Sequence, residues 1–298
     1  MFHFKTNKMF KKIFIFTLMA VSMNIVRAQD QKINVVVIGA HPDDCDLDAG
    51  GTAIQFAKMG HRVLFVSVTN GDAGHFNKGG AVLAKIRKAE AEEAGKRFGV
   101  TYKVLDNHDG LLLPDLKVRS EIIRAIREWK ADVVIGPRPY DYHPDHRNTA
   151  IALQDAAFMV IVPNIVPETP ALKKNPVFLY TEDRFKKPNP FTPDIVVDIS
   201  DVYEQKIYAV SAHQSQFFEW LPWLDGQLEN VPKSEPERLK WLAESRKGNI
   251  SKEAKTALLK WYGSKADQVK YAEAFEICEY GSYPNDGDIK RIFPMLRK

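Results

Sequence analysis

The sequence predicts an α/β protein with a doubly wound, mostly parallel, Rossmann-like sheet, helices on both faces, and a helical, aromatic C-terminal extension. Two observations carry this prediction. Predicted strands alternate with predicted helices along residues 32–213, which is the pattern of a parallel sheet with crossover helices. The first strand is also a continuous apolar run rich in β-branched residues, as expected of a strand buried on both faces.

The individual elements follow from the spacing of apolar residues. Strands are predicted at 32–40, 61–70, 101–105, 132–136, 176–180 and 194–199, and helices at about 51–59, from 82 to before Gly99, and at 118–129, 146–160 and 201–213. After residue 213 the character changes. Trp220, Pro222 and Trp223 indicate an aromatic loop, and helices are expected near 234–246 and 251–263. We therefore expect a core at 29–213 and a C-terminal elaboration at 214–298 that packs on it.

Residues 1–28 have the features of a secretory signal peptide. Four lysines precede an uncharged apolar run at 13–23, and Val26 and Ala28 occupy the −3 and −1 positions of a cleavage site. The alternative is a membrane anchor, but the uncharged run is shorter than the ~20 residues that a transmembrane helix needs. We expect an exported protein, periplasmic or secreted, with no stable membrane insertion after cleavage.

The charge balance and the cysteine count exclude several classes. Without residues 1–28 the chain has 37 basic and 38 acidic residues, so its charge indicates neither nucleic acid nor an anionic membrane as a partner. Cys45 and Cys278 are too few for a disulfide scaffold. Both are expected to be free buried thiols.

Two His/Asp motifs carry the chemistry. His41-Pro42-Asp43-Asp44 begins where the first strand ends, and a second cluster, 140–146 (YDYHPDH), follows the fourth strand. In a doubly wound sheet these strands are neighbours, and ligands bind at their carboxyl ends where the strand order reverses. The two clusters are therefore predicted to meet in one crevice, although they are about 100 residues apart in sequence.

Histidines and carboxylates at this spacing suit zinc, which in catalytic sites takes three protein ligands and leaves one position open. Adjacent Asp43 and Asp44 are not both expected to be ligands, which leaves one of them free as a general base. A single copy of the motif could equally be a loop cap. A dinucleotide site is disfavoured because GxGxxG is absent around Gly50-Gly51.

The residues of these motifs resemble the PIG-L/LmbE-like deacetylases. The resemblance covers most of 32–215 and includes His41-Pro42-Asp43-Asp44, Gly50-Gly51 downstream, and His143-Pro144-Asp145-His146. One position departs from the pattern, because Cys45 stands where the family commonly has glutamate. That position is not a ligand in the family, so the departure concerns local hydrogen bonding.

The resemblance implies a role for each residue. It makes His41, Asp44 and His146 the ligands of Zn²⁺ or another divalent metal, and Asp43 the general base. His143 would stabilise the oxyanion or protonate the leaving amine, and Asp145 would orient a histidine. Arg87 and Asp109 would contact sugar hydroxyls, with a surface charge and a turn carboxylate as alternatives. Tyr142 would add an oxyanion hydrogen bond, with core packing as its alternative.

The function expected from the resemblance is zinc-dependent removal of an acetyl group from an N-acetylated amino sugar of the N-acetylglucosamine type. One alternative is a zinc amidohydrolase or esterase that acts on another acyl group. The other is a non-catalytic carbohydrate-binding relative, against which the additional carboxylate of Asp43 argues. The sequence leaves a homo-oligomer open.

Overall fold

The structure, a computed structural model, describes residues 32–297. The predicted signal peptide lies outside the described residues, so its assignment stays a prediction. In the part of the chain that is described, no helix combines the length and apolarity required to cross a membrane.

Seven strands form one sheet in the order β3-β2-β1-β4-β5-β7-β6. The strands are β1 (Asn34–Gly39), β2 (Arg62–Thr69), β3 (Thr101–Asn107), β4 (Val133–Gly136), β5 (Val177–Thr181), β6 (Ile195–Asp198) and β7 (Ala272–Cys278). The first five in space are parallel, whereas β7 runs antiparallel to both β5 and β6. The mostly parallel sheet and the pairing of β1 with β4 are confirmed.

Helices cover both faces of the sheet, as predicted. They are α1 (Asp44–Lys58), α2 (Gly80–Phe98), α3 (Leu116–Trp129), α4 (Pro144–Met159), α5 (Tyr203–Val210), α6 (Leu221–Leu224), α7 (Glu235–Ser245), α8 (Lys252–Tyr262) and α9 (Asp286–Ile292). Val35 and Val37 of β1 point into one core, with α1, α2, α5 and α8. Val36 and Ile38 point into the other, with α3 and α4. Because β1 is buried on both sides, its sequence is apolar without alternation.

Helix α1 begins at Asp44, seven residues before its predicted start at 51. The glycines Gly50 and Gly51 lie inside the helix, where they permit close packing. A Cβ at Gly50 would lie 2.7 Å from the Phe98 ring, and one at Gly51 would lie 2.7 Å from Ile199. The earlier start places Asp44 in the first helical turn, directly after the loop that carries His41.

The segment after residue 213 differs from its predicted form in two places. Residues 216–224 form a π-helical turn (Gln216–Trp220) followed by α6, where an aromatic loop was expected. Strand β7 lies inside the sheet between β5 and β6, in a segment where no strand was predicted. Its two glutamates obscured the strand pattern. A charged residue can be buried in a strand only if other groups pair with it, and only the fold brings those groups close.

One of these glutamates, Glu273, joins β7 to the helix that carries Asp44. Its carboxylate accepts the backbone N–H groups of Gly51 (2.8 Å) and Thr52 (2.7 Å) and the ammonium of Lys206 (2.7 Å). Lys206 also donates to the carbonyl of Leu47. Both charged side chains are buried, so the ion pair connects α1, α5 and β7 in the interior.

Replacing Glu273 by alanine should lower the free energy of unfolding by about 3–5 kcal/mol, because Lys206 would keep a buried charge without its partner. Urea denaturation followed by circular dichroism measures this change. Glu276→Ala is the matched control, because Glu276 is on the same strand but is partly exposed. Its contact with Arg138, at 3.7 Å, is also longer than that of Glu273 with Lys206. Equal losses in the two variants would contradict the role given to Glu273.

Candidate metal and catalytic centre

The two motifs meet in one pocket at the carboxyl ends of β1 and β4. The pocket has a volume of about 570 Å³ and is lined by His41, Asp43, Asp44, His143 and His146, among others. A pocket of this size falls in the usual range for small-molecule sites. Neighbouring parallel strands therefore bring distant parts of the sequence together, as the strand order predicted.

Three ligand-type atoms face each other in this pocket. His41 Nδ1 lies 3.2 Å from His146 Nε2 and 3.6 Å from Asp44 Oδ2, and His146 Nε2 lies 3.5 Å from Asp44 Oδ2. Zinc–ligand bonds of about 2.0–2.2 Å in tetrahedral geometry separate the ligand atoms by roughly 3.3–3.6 Å. The predicted ligand set therefore has a spacing that fits a bound metal ion.

The described residues also contain two other groups with metal-ligand spacing. One is His41, His143 and His146, and the other is His41, Asp109 and Asp145. Asp145 is fully buried and does not line the pocket, whereas Asp44 does. A catalytic metal needs an open position on the substrate side, so the group formed with Asp44 suits that task better than the one formed with Asp145.

Asp44 is fixed by the start of its helix. Its Oδ2 accepts the backbone N–H groups of Ala40 and His41, both at 2.8 Å. Burial alone would raise the pKa of Asp44, but the charges of His146 and His41 and the bonds from His41 outweigh burial and hold the pKa well below its usual range. The loop-cap alternative thus describes part of this carboxylate's contacts, but it does not explain the two imidazoles beside it.

His146 is oriented by Asp141, a residue that the sequence analysis did not single out. Asp141 Oδ1 lies 3.1 Å from His146 Nδ1 and accepts the backbone N–H of His143 at 2.8 Å. A proton on Nδ1 leaves Nε2 free toward the pocket, which is the usual carboxylate–histidine arrangement at metal sites. The position of Asp141 within the second motif was the sequence signal that could have identified it.

Two carboxylates lie on the far side of the His41 ring. His41 Nε2 is 3.1 Å from Asp109 Oδ1 and 3.4 Å from Asp145 Oδ2. Asp145 itself accepts the backbone N–H groups of Gly110 (2.6 Å) and Leu112 (3.3 Å). The position of Asp145 agrees with its predicted role of orienting His41. Asp109 both contacts this ring and lines the pocket, so its predicted contact with a sugar stays open.

Without a metal ion, the carboxylates around the two histidines favour their protonated forms. Burial alone would lower the pKa of His41, but the carboxylates of Asp109, Asp145 and Asp44 beside the ring raise it well above the usual value. Burial would likewise lower the pKa of His146, but the charge of Asp44 and the bond to Asp141 raise it to about 9. These shifts favour a proton shared between His41 Nδ1 and His146 Nε2, which lie 3.2 Å apart, at neutral pH.

Metal affinity should consequently rise with pH between 6 and 8, because the metal displaces a proton from this site. The expected gain is about tenfold per pH unit for each displaced proton. Competition with a chromogenic chelator at several pH values measures it. A pH-independent affinity over this range would contradict the protonation state described above.

Asp43 has a strained backbone and lies directly before α1. Its φ of 151° is rare for a residue with a side chain, and its side chain makes no capping hydrogen bond to the helix. Its Oδ1 instead accepts a hydrogen bond from the Arg87 guanidinium at 3.1 Å. Burial raises the pKa of Asp43, and the opposing charge of Arg87 does not cancel that effect. A carboxylate with a raised pKa is suited to accept a proton near neutral pH.

Arg87 is buried, so the alternative that it is a surface charge is wrong. The guanidinium donates to the Pro42 carbonyl as well as to Asp43. Arg87 therefore fixes the loop that carries the first motif. It also lines the pocket, and its predicted contact with a sugar hydroxyl stays a prediction.

His143 is the N-cap of α4, and this contact fixes its tautomer. Its Nδ1 accepts the backbone N–H of Asp145 at 3.2 Å, so the neutral ring carries its proton on Nε2. Burial and the neighbouring charges of His41 and His146 lower its pKa. The ring is therefore neutral at pH 7 and presents an N–H donor. This favours stabilising an oxyanion over protonating the leaving amine.

Tyr142 lies at the mouth of the pocket and is 69% exposed, so the core-packing alternative is wrong. Its ring centroid is 5.8 Å from that of His143 and 5.8 Å from that of His146. Behind the site, His213 is fully buried and pairs with Asp46 at 2.9 Å, which is a structural contact. Cys45 is a free buried thiol, as predicted, with its Sγ 3.4 Å from the Val37 carbonyl oxygen.

The fold and this site define a particular class of α/β protein, and comparisons with known proteins identify the same class. Residues 36–157 match the PIG-L family, described as GlcNAc-PI de-N-acetylase. Over 207 residues the chain is 34% identical to the diacetylchitobiose deacetylase of Thermococcus kodakarensis, covering 64% of this chain and 74% of that protein. The chain belongs to the PIG-L family, which confirms the resemblance found in the motifs.

Two further relatives agree with this assignment. The probable N-acetyl-alpha-D-glucosaminyl L-malate deacetylase 2 of Bacillus cereus is 29% identical over 219 residues, covering 70% of this chain and 94% of that protein. The structure of N,N'-diacetylchitobiose deacetylase from Pyrococcus horikoshii, complexed with its inhibitor MPG, superposes with a TM-score of 0.62. It is 26% identical, and the match covers 93% of this chain and 96% of that chain.

Proposed function

We propose that this protein is a metal-dependent hydrolase that removes the acetyl group from an N-acetylated amino sugar. The observation that carries the proposal is the arrangement of His41, Asp44 and His146 around one point in the pocket. The carboxylate of Asp43 lines the same pocket and is held by Arg87. The deacetylase activities named for its relatives support the substrate class.

We assign the metal to His41 Nδ1, Asp44 Oδ2 and His146 Nε2, and zinc suits two imidazoles and one carboxylate. Another divalent metal is the alternative, because such donor sets accept several first-row ions. When bound, the metal polarises the acetyl carbonyl and acidifies the attacking water. Asp141 and Asp145 keep the two rings oriented for this role.

The protein side chains then move the protons. Asp43 takes a proton from the attacking water, and its raised pKa lets it hold that proton and return it to the departing nitrogen. The neutral His143 donates its Nε2–H to the oxyanion of the tetrahedral intermediate. The products are acetate and the amine in its ammonium form, so one water molecule is consumed and no other reactant is needed.

A panel of N-acylated glucosamines tests the function and its nearest alternative. We expect the metal-loaded protein to release acetate and to leave longer acyl groups in place. Preference for a longer acyl group, or cleavage of acetyl esters alone, would favour the amidohydrolase or esterase alternative. Binding of the sugars without any turnover would favour a non-catalytic relative.

We further propose that the protein is exported and that residues 1–28 are removed. The charged n-region, the short apolar run and the small residues before position 29 support this proposal. N-terminal sequencing of the protein from its native cell should begin near Gln29. An intact Met1 on the mature species would contradict it.

A further inference from the structure

A stack of four aromatic rings ends at the pocket, and only its last ring, Trp220, lines it. In order of contact the rings are His75, Phe76, Trp223 and Trp220, with centroid separations of 4.5, 5.3 and 5.4 Å and interplanar angles of 24°, 17° and 15°. Such near-parallel rings are offset-stacked. Trp220 is the last ring and lines the pocket, whereas Trp223 is 46% exposed outside it.

Polar contacts hold this aromatic stack in place. Glu219 pairs with His75 Nε2 at 2.8 Å and accepts from the Lys78 ammonium. Gln216 donates its amide to the Gly74 carbonyl at 2.9 Å. These contacts join the loop after β2 to the π-helical turn that ends in Trp220. The ring is therefore positioned before a ligand arrives, which reduces the entropy lost on binding.

The Trp220 ring lies beside the polar end of the pocket. A Cβ built on Gly74 would lie 3.3 Å from Asp109 Oδ2, 3.6 Å from Arg87 Nη1 and 3.8 Å from Trp220 Nε1. Gly74 thus lies between the Trp220 ring and the polar side chains of Asp109 and Arg87. Leu221 and Leu224 continue the apolar wall from Trp220.

We propose that Trp220 is the platform for the sugar ring next to the acetylated one, so that the substrate is a disaccharide or longer chain of N-acetylglucosamine-type units. The inference rests on the proposed function. The C–H groups on one face of a pyranose ring form an apolar surface that packs on an aromatic ring, while its hydroxyls reach polar groups at the edges.

Binding of unreacted sugars to the metal-free full chain tests this inference. By calorimetry, we expect diacetylchitobiose to bind at least about tenfold more tightly than N-acetylglucosamine. Trp220→Ala should reduce this preference to less than about threefold, and Trp220→Phe should keep most of it because a flat ring remains. Trp129→Ala is the matched control, since Trp129 packs under Arg62 away from the pocket, and it should keep the full preference.

An unchanged preference in Trp220→Ala, or no preference in the wild type, would overturn the platform. A preference that depends on Trp220 would support it, and Trp220→Phe keeps the test valid if the alanine variant does not fold. The proposed function is decided separately by acetate release from the metal-loaded wild type. The platform can therefore fail while deacetylation stands, and deacetylation can fail while the platform stands.

Discussion

Replacing Asp43 by asparagine should lower kcat by about 10²–10⁴-fold while the protein keeps its metal. The amide is nearly isosteric with the carboxylate, and asparagine tolerates positive φ better than most residues do. Its side-chain oxygen can still accept the hydrogen bond from Arg87, so the loop should keep its shape. What is lost is the ability to accept a proton from water. Metal content by elemental analysis and steady-state acetate release measure the two effects separately.

Asp44→Asn is the matched comparison, because it makes the same chemical change at the adjacent residue. Asp44 Oδ2 lies within 3.6 Å of both His41 and His146. Loss of its charge should therefore weaken metal binding, and added zinc should restore part of the activity. If Asp43→Asn empties the site while Asp44→Asn keeps the metal, the two roles are reversed. If neither variant affects turnover, the mechanism is wrong.

The double variant His41→Ala/His146→Ala should lose metal from about one ion per chain to near none, and activity with it. Two of the three proposed ligands are removed, and a single carboxylate cannot hold a zinc ion against water. Elemental analysis after metal repletion and desalting gives the stoichiometry. Each single variant should retain intermediate affinity, because two ligands remain.

His61→Ala controls for the loss of an imidazole elsewhere in the chain. His61 precedes β2 at the opposite end of the sheet, where its Nδ1 accepts the backbone N–H of Ile33 at 3.2 Å. Its metal content should equal that of the wild type. Full occupancy in the His41/His146 double variant would remove these residues from the metal site.

The pattern of apolar residues was enough to predict the parallel part of the sheet and the location of the site. A parallel strand buried on both faces leaves a continuous apolar run, and the motifs follow two such runs. Strand adjacency at β1 and β4 then follows from general rules of chain connection. Strand β7 was missed because Glu273 is paired by groups from α1 and α5, and no local pattern records such partners.

The sequence by itself determined the family, the fold class and the residue types available for a metal and a base. Only the tertiary structure decided how those residues are supported. It placed Asp141 against His146, Asp109 and Asp145 against His41, and Arg87 in the interior against Asp43. It also turned Trp220 from an expected loop residue into the end ring of a stack. These contacts join segments far apart in the chain, and their energies depend on distance and burial, which sequence spacing does not specify.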